Sequence, residues 1–297
     1  MRQLPDSTCI AAVHLQVSDL QRSLEFYADL LGFRLIRSDG PDAWLSATGA
    51  TPHLLRLTEH ADLQPPPPRT TGLFHVAFRA PDRVGLGRWL RRLLDTKTRL
   101  QGASDHGVSE ALYLADPDGL GVELYCDRAR DIWPRRGRYV AMVSEPFDTA
   151  AVLALGEGQP WNGVDPATDI GHVHLCVSSL EQAESFYVDT LGFDAMQRDF
   201  PGALFLAAGG YHHHLGTNTW RSGGAGPVPE DCPRLVSYML GVPSPENVTT
   251  IRERLLAAGA TVRNDETGIV TQDGDGMTVV VCAESARRSP PPHPEAK

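Results

Sequence analysis

Hydrophobic and polar positions follow one order that occurs four times along the chain. Val13, Leu15 and Val17 alternate with polar residues, which predicts a strand, and apolar residues then recur at helical spacing over 19–31. Short strands follow, and the same order returns from about residues 71, 170 and 234. We therefore predict an α+β protein of four βαβββ units whose sheets curl into pockets, with further helices near 83–95 and 251–258.

The chain also repeats itself at an offset of 160 residues. Residues 12–33 and 172–193 are identical at 12 of 22 positions, which indicates a duplication of the first half. The copies differ at one position of chemical interest, because Ala12 in the first is His172 in the second. Because only the second copy has a histidine at this position, we expect the second copy to contribute to a functional site.

Changes of composition along the chain suggest domain boundaries. We expect one half over 1–128, a connector rich in Gly, Pro and Arg over 129–169, and the other half over 170–286. The last residues, 287–297, contain a proline run and no apolar pattern, so we expect a disordered tail.

Charge and cysteine content exclude several classes of protein. The net charge is −10 and there is no long basic run, which argues against nucleic-acid and anionic-membrane partners. Five cysteines without a disulfide-like spacing indicate reduced thiols. No apolar run approaches the roughly 20 residues that span a bilayer, and the N-terminus lacks the features of a signal peptide. We expect a cytoplasmic protein.

Strand alternation indicates which polar side chains face a pocket. Val173 and Leu175 would pack on helices, which leaves His172 and His174 on the concave face. The same alternation applies to three residues in the second unit: His75, Tyr113 and Glu123. A single strand histidine is more often a core residue than a ligand. Two imidazoles and one carboxylate at equivalent edges of repeated units, however, suit a divalent metal with open coordination positions.

The repeated motifs resemble those of the vicinal oxygen chelate superfamily, which contains glyoxalases, bleomycin-resistance proteins and type I extradiol dioxygenases. Three segments carry the resemblance: 17–33, its repeat at 177–193, and Asp116-Pro-Asp-Gly-Leu-Gly-Val-Glu123. Longer strings over 72–75, 101–113 and 209–220 are most similar to two-domain catechol 2,3-dioxygenase-like proteins.

This resemblance implies an extradiol ring-cleaving dioxygenase that acts with O₂ on a catechol-type or hydroquinone-type aromatic. It implies Fe(II), or less often Mn(II), held by His75, Glu123 and His172. Acid–base catalysis would fall to a histidine aligned with His213, although the register within His212–His214 stays open by one residue. In a strand, His213 would face away from His212 and His214. The resemblance further implies that Tyr113 binds the substrate oxygen and that His106 lies in a substrate-facing loop. From its position beside His172 on the concave face, we expect His174 to orient substrate or a neighbouring ligand.

The ligand positions also bear on how the four units pair. Units 1 and 4 have no ligand left, so pairing 2+3 and 1+4 into two barrels assembles His75, Glu123 and His172 in one of them. Sequential pairing, 1+2 and 3+4, would instead make His14 the third ligand in place of His172.

Two alternatives of different class remain open. A glyoxalase-like isomerase or transferase would use the same ligand types with Zn, Ni or Mn, whereas His213 and Tyr113 favour ring cleavage. A metal-free protein that sequesters a small molecule, such as a drug, would be expected to have lost the histidines. Relatives commonly self-associate, so a homo-oligomer is compatible with the resemblance.

Overall fold

The computed structural model describes residues 3–284, so the predicted tail over 287–297 lies outside the described residues. Units 1 and 2 have the predicted order of elements. Unit 1 comprises β1 (Cys9–Val17), α1 (Leu20–Leu24), β2 (Arg34–Asp39), β3 (Asp42–Ser46) and β4 (Leu55–Glu59). Unit 2 comprises β5 (Gly72–Ala80), α2 (Arg83–Asp95), β6 (Gly102–Asp105), β7 (Ser109–Ala115) and β8 (Gly121–Asp127).

A connector separates these units from the second half. It contains a 3₁₀ turn (Arg130–Ile132), the short strands β9 (Arg135–Arg136) and β10 (Tyr139–Val140), and α3 (Thr149–Leu155). Unit 3 comprises β11 (Asp169–Cys176), α4 (Leu180–Glu184), β12 (Asp194–Gln197), β13 (Ala203–Ala207) and β14 (Leu215–Asn218). Unit 4 comprises β15 (Arg234–Val242), α5 (Pro245–Ala257), β16 (Arg263–Asn264), β17 (Gly268–Gln272) and β18 (Thr278–Ala283).

The helices begin where the sequence offers a cap. The side chain of Asp19 accepts a hydrogen bond from the backbone of Arg22, and Ser179 caps α4 in the same way. Both helices continue as π-helical turns, over Glu25–Leu30 and Ser185–Leu191. Helix α5 begins six residues before the predicted start, because proline at the first helical position follows Ser244.

The repeated Phe-Tyr motif joins neighbouring units. Tyr27 donates a hydrogen bond to Asp116 of the Pro-Asp-Gly turn at 3.1 Å, and Tyr187 donates to Asp273 at 2.6 Å. In each turn the aspartate also accepts backbone N–H groups two and four residues later. Burial raises the pKa of Asp116 to about 7. The motif therefore fixes the helix of one unit to the turn of the next.

Strand pairing brings the outer units together and the inner units together. Within each unit the first strand runs parallel to the last. Between units, β5 runs antiparallel to β11, and β1 runs antiparallel to β15. A further pairing of β1 with β11, through Ile10 and Ile170, joins the strands of units 1 and 4 to those of units 2 and 3. Sixteen of the strands described over residues 3–284 thus form one sheet, in the order β16-β17-β18-β15-β1-β11-β5-β8-β7-β6 with side branches.

The two separate barrels that we expected are not seen among these strands, and no closed barrel is formed by them. Mixed sheets with helices agree with the predicted α+β class, but the described strands form one continuous sheet. The physical reason is that β1 pairs with β11 at Ile10 and Ile170, which joins the strands of the outer units to those of the inner units. None of the helices described between residues 3 and 284 is long and apolar enough to cross a bilayer.

The connector is packed against the sheet instead of spanning solvent. Val140 and Met142 are buried with Phe205 and Tyr211 in a small apolar cluster beside the main core. The side chain of Gln197 accepts a hydrogen bond from the backbone N–H of Met142 at 3.0 Å. This fixes residues 140–144 close to the concave side of units 2 and 3.

Candidate active site

Three buried side chains from three strands converge on one point. The Nε2 atom of His75 lies 2.9 Å from Oε2 of Glu123, and Nε2 of His172 lies 3.1 Å from the same oxygen. The two Nε2 atoms are 3.3 Å apart. All three side chains present one ligand atom within 4.8 Å of the others, in a group suited to a metal ion. The structure brings together the three residues that the sequence nominated as ligands.

A small residue and a bulge explain how these side chains meet. Ala77 in β5 lies between Glu123 in β8 and His172 in β11 in the strand register. Its methyl group leaves the carboxylate and the imidazole free to approach each other above it. Gly171 is the extra residue of a bulge in β11, and a β-carbon there would lie 1.6 Å from the hydroxyl of Tyr125. The bulge therefore requires glycine and sets the direction of His172.

The electrostatics of the cluster favour a cation. Burial by itself would raise the pKa of Glu123, but His172 and His75 outweigh this effect and hold the pKa well below its usual range. Burial lowers the pKa of His172 to about 4, against the opposing influence of Glu123. At neutral pH the site thus offers an ionised carboxylate beside a neutral imidazole, which is the protonation state that metal binding requires.

The cluster forms one wall of a cavity of about 290 Å³. Ten of the fifteen lining residues described carry an aromatic or an imidazole ring, and none of the lining residues among 3–284 is a lysine or arginine. Phe74 reaches the cavity beside His75 because it is the extra residue of a second bulge, in β5. The connector supplies two further lining residues, Met142 and Ser144. The remaining lining residues described are Ser104, His106, Ser109, Tyr113, His174, Phe200, Phe205, His213 and Trp220.

Tyr113 and His106 form a hydrogen-bonded pair on one side of this cavity. Nδ1 of His106 lies 2.7 Å from the carbonyl oxygen of Val143 and must donate to it, so Nε2 is the unprotonated nitrogen. The hydroxyl of Tyr113, 2.7 Å from that Nε2, is therefore the donor. Burial and the charge of Glu123 raise the pKa of Tyr113 well above its usual value. Tyr113 consequently stays neutral and has oxygen lone pairs left to accept a hydrogen bond.

The three consecutive histidines are not part of a strand, which corrects the alternation argument. Strand β14 begins at Leu215, and residues 211–214 form the loop before it. All three rings are buried, so they do not form an exposed loop. His213 lines the cavity and packs against His172 with ring centroids 4.0 Å apart and planes tilted by 44°, whereas His212 and His214 lie outside the lining. The assumption of a strand over 212–214 is therefore wrong, although His213 does face a different side from His212 and His214.

The other nominated histidines have separate positions. His174 lines the cavity opposite His75, and its buried Nε2 has no hydrogen-bond partner among the described residues. Burial lowers its pKa well below the usual value. His14, the substitute ligand under sequential pairing, is instead hydrogen-bonded to Thr58 at 2.7 Å in unit 1.

Sequence reasoning missed the support behind His213. Asp127 ends β8, and its carboxylate lies 2.8 Å from Nε2 of His212. The sequence did contain a signal for Asp127: it lies four residues after Glu123, and strand alternation places both side chains on the same face. The two connector residues had no periodic pattern that could have predicted their place in the cavity.

Comparison with known sequences identifies the class of this protein. Two segments, residues 10–124 and 169–281, match the Glyoxalase/Bleomycin resistance protein/Dioxygenase superfamily. The chain therefore belongs to this superfamily, and the family predicted from its motifs is confirmed.

Individual relatives narrow the class. The chain is 38% identical over 278 residues to a catechol-2,3-dioxygenase of Bacillus subtilis (strain 168), covering 92% of this chain and 96% of the relative. It is 28% identical over 130 residues to an iron-dependent extradiol dioxygenase of Rhodococcus jostii (strain RHA1), covering 39% and 42% of the two chains. The first match confirms the predicted class of enzyme, a dioxygenase-type oxidoreductase.

A solved structure confirms the fold. Glyoxalase I from Zea mays is similar with a TM-score of 0.59 and 16% identity over 94% of each chain. Identity at that level supports the fold alone. The four-unit architecture of this chain is thus that of the superfamily to which its sequence belongs.

Proposed function

We propose that this protein is a metal-dependent extradiol dioxygenase, which cleaves an aromatic diol with O₂ beside the two hydroxyl groups. The observation that carries the proposal is the convergence of His75, Glu123 and His172 at the wall of an aromatic cavity. The similarity to catechol-2,3-dioxygenase and to an iron-dependent extradiol dioxygenase supports it. In this proposal units 2 and 3 together house the site, and units 1 and 4 pair with each other and hold no ligands.

The donor set fits a divalent first-row metal, and we propose Fe(II), with Mn(II) as the other candidate. Two imidazoles and one carboxylate leave coordination positions free, and this is the ligand set of non-heme Fe(II) oxygenases. When bound, the metal would supply the redox chemistry that lets O₂ react with a diol. The mutual distances of 2.9, 3.1 and 3.3 Å between the three donor atoms are consistent with three ligands arranged around one cation.

The remaining cavity residues bind the substrate and handle its protons. Tyr113 has a free acceptor position for one hydroxyl group of the diol, and His106 fixes the orientation of that tyrosine. Burial lowers the pKa of His213 well below the usual value and keeps the ring neutral, so an unprotonated nitrogen is available to accept a proton from the other hydroxyl. His174 contacts Phe74 and Trp220, which places it to orient the ring of the substrate.

The cavity further suggests which diols fit. A cavity of about 150 Å³ is enough to hold benzene, whereas this one measures about 290 Å³. A single ring with an apolar substituent would therefore fit. Without a lining lysine or arginine, a substrate carboxylate would lose its hydration and gain no counter-charge. We propose an uncharged, substituted catechol or hydroquinone as the substrate class.

The test begins with metal-free protein. Anaerobic Fe(II) is added, bound iron is measured by elemental analysis, and catechol and air follow while the absorbance of a yellow semialdehyde is recorded. One iron per chain with a yellow product supports the proposal. One metal without ring opening favours an isomerase or transferase, and the absence of metal favours a binding protein.

A pair of carboxylate variants makes the assignment specific. Glu123→Gln should lose bound iron and activity while keeping the fold, as measured by circular dichroism. Glu110→Gln is the matched control, since Glu110 is an equally buried carboxylate that binds Arg83 and does not line the cavity. Retention of stoichiometric iron by Glu123→Gln would exclude Glu123 as a ligand.

A further inference from the structure

Behind His213 lies a continuous line of hydrogen bonds that ends on a buried carboxylate. Asp127 Oδ1 is 2.8 Å from Nε2 of His212, and Nδ1 of His212 is 2.7 Å from Nδ1 of His213. His212 is fully buried and lies outside the cavity lining. The arrangement of these three residues raises the question of which nitrogen atoms carry protons.

The carboxylate at the end of the line is held in its ionised form. Arg79 donates to Asp127 at 3.0 Å, and the hydroxyl of Tyr211 donates to both carboxylate oxygens at 3.0 Å. Burial would raise the pKa of Asp127, but His212 and Arg79 outweigh it and lower the pKa. Asp127 is consequently an acceptor only, and whatever faces it must donate.

Donors and acceptors can then be assigned along the line. Since Asp127 accepts, Nε2 of His212 carries a proton. Burial lowers the pKa of His212, so the ring is neutral and its Nδ1 is an unprotonated acceptor. Nδ1 of His213 must therefore be the donor, which leaves Nε2 of His213 unprotonated. That Nε2 makes no hydrogen bond within residues 3–284, and His213 lines the cavity.

We propose that Asp127 and His212 are positioning residues that hold His213 in the tautomer protonated at Nδ1, with Nε2 presented to the cavity as a proton acceptor. The use of that acceptor on a diol hydroxyl rests on the proposed function: the O–H bond breaks, and the proton bonds to Nε2. Neither positioning residue needs to contact the substrate. His213 is also held between the rings of His172 and Phe205, whose centroids lie 4.0 and 4.9 Å away.

Nitrogen NMR tests the tautomer without any need for activity. Metal-free protein labelled with ¹⁵N-histidine is recorded in a long-range ¹H–¹⁵N experiment, and the loss of one set of signals in His213→Gln assigns His213. We expect the pattern of protonated Nδ1 in the natural protein. In His212→Phe, where the acceptor for Nδ1 is gone, we expect a shift towards the Nε2–H pattern. An Nε2–H pattern in the natural protein would overturn the proposal.

Activity separates a positioning role from a merely structural one. With iron content held equal, His212→Phe should lower kcat/KM for catechol by about 10²-fold or more, within the usual contribution of a general base. The loss should shrink markedly for 4-nitrocatechol, because its more acidic hydroxyl needs less help to lose a proton. Equal losses on both substrates would contradict the proposal.

Two further variants distinguish the hydrogen bonds of Asp127, His212 and His213 from the neighbouring contacts of Arg79. Asp127→Asn should show the same substrate dependence to a smaller degree, since the amide can either donate or accept. Asp169→Asn is the matched control: Asp169 also binds Arg79 but does not touch His212, so the tautomer and activity should persist. If the natural protein cleaves no diol yet shows protonated Nδ1, the proposed function fails and the assigned tautomer stands.

Discussion

The buried histidines should make the metal-free protein sensitive to mild acid, and His214 gives the sharpest test. Burial lowers the pKa of His214 to about 3, compared with about 6.5 for a histidine in an unfolded chain. Because the folded pKa is the lower one, the unfolded chain binds more protons below pH 6.5. Stability is therefore lost progressively as the pH falls from 6.5 towards 3.

The expected loss of stability follows from the difference between the pKa of His214 in the folded protein and in the unfolded chain. At pH 5, the linkage relation gives a loss of about 2 kcal/mol for one such histidine. That is a large part of the roughly 5–15 kcal/mol by which a typical domain is stable. Burial also lowers the pKa of His172, His174, His212 and His213, so the natural protein loses more than His214 alone accounts for.

Urea unfolding of metal-free protein at pH 7.5 and pH 5.0 measures the effect. His214→Asn removes the titrating group, while its amide oxygen can still accept the backbone N–H of Ala208 that now donates to Nδ1 at 3.2 Å. The variant should be less stable than the natural protein at pH 7.5, but its loss on acidification should be smaller by about 2 kcal/mol. His60→Asn, at an exposed position, should change neither quantity. Equal acid losses in the natural protein and His214→Asn would refute the reasoning.

Other variants and substrates test the site and its surroundings. In Gly216→Ala, a β-carbon would lie 2.9 Å from the ring of His174 and push that ring aside. The variant should keep iron but lower kcat, by up to about 10²-fold for a displacement of the ring near 1 Å. An unchanged kcat would show that His174 does not act in the site. His14→Gln should leave iron content unchanged, and a loss of iron would contradict the proposed ligand set of His75, Glu123 and His172. An apolar 4-alkylcatechol should exceed 3,4-dihydroxyphenylacetate in kcat/KM by at least about tenfold, and the reverse preference would contradict an uncharged substrate.

Strand alternation predicted the concave face well where the strands are regular. His75, Glu123 and His172 lie on β5, β8 and β11, and the two-residue period of those strands brings their side chains to one surface. The same reasoning could not predict Phe74, because a bulge in β5 turns that side chain towards the cavity. At 211–214 the chain is a loop and not a strand, and hydrogen bonds between side chains hold His212 and His213 in place.

Other parts of the site depend on contacts between distant residues. Met142 and Ser144 come from a connector without periodic hydrophobicity, and packing on Phe205 and Gln197 fixes their position. The π-helical turns after α1 and α4 likewise have no signal in a helical apolar stripe. The local sequence was enough to predict the helices and strands, whereas the residues of the cavity wall could be identified only from contacts made in the folded chain.

The nested pairing of strands has a consequence for synthesis on the ribosome. The strands β5 and β11 lie between β1 and β15 in the chain, so the inner pair can assemble before the outer partner exists. Until β15 (Arg234–Val242) has emerged, β1 lacks that partner and exposes a free strand edge. Such an edge can pair with another nascent chain. Units 1 and 4, which pair through β1 and β15, are thus the part of the protein for which slow translation or a shortage of chaperones carries the greater risk of aggregation.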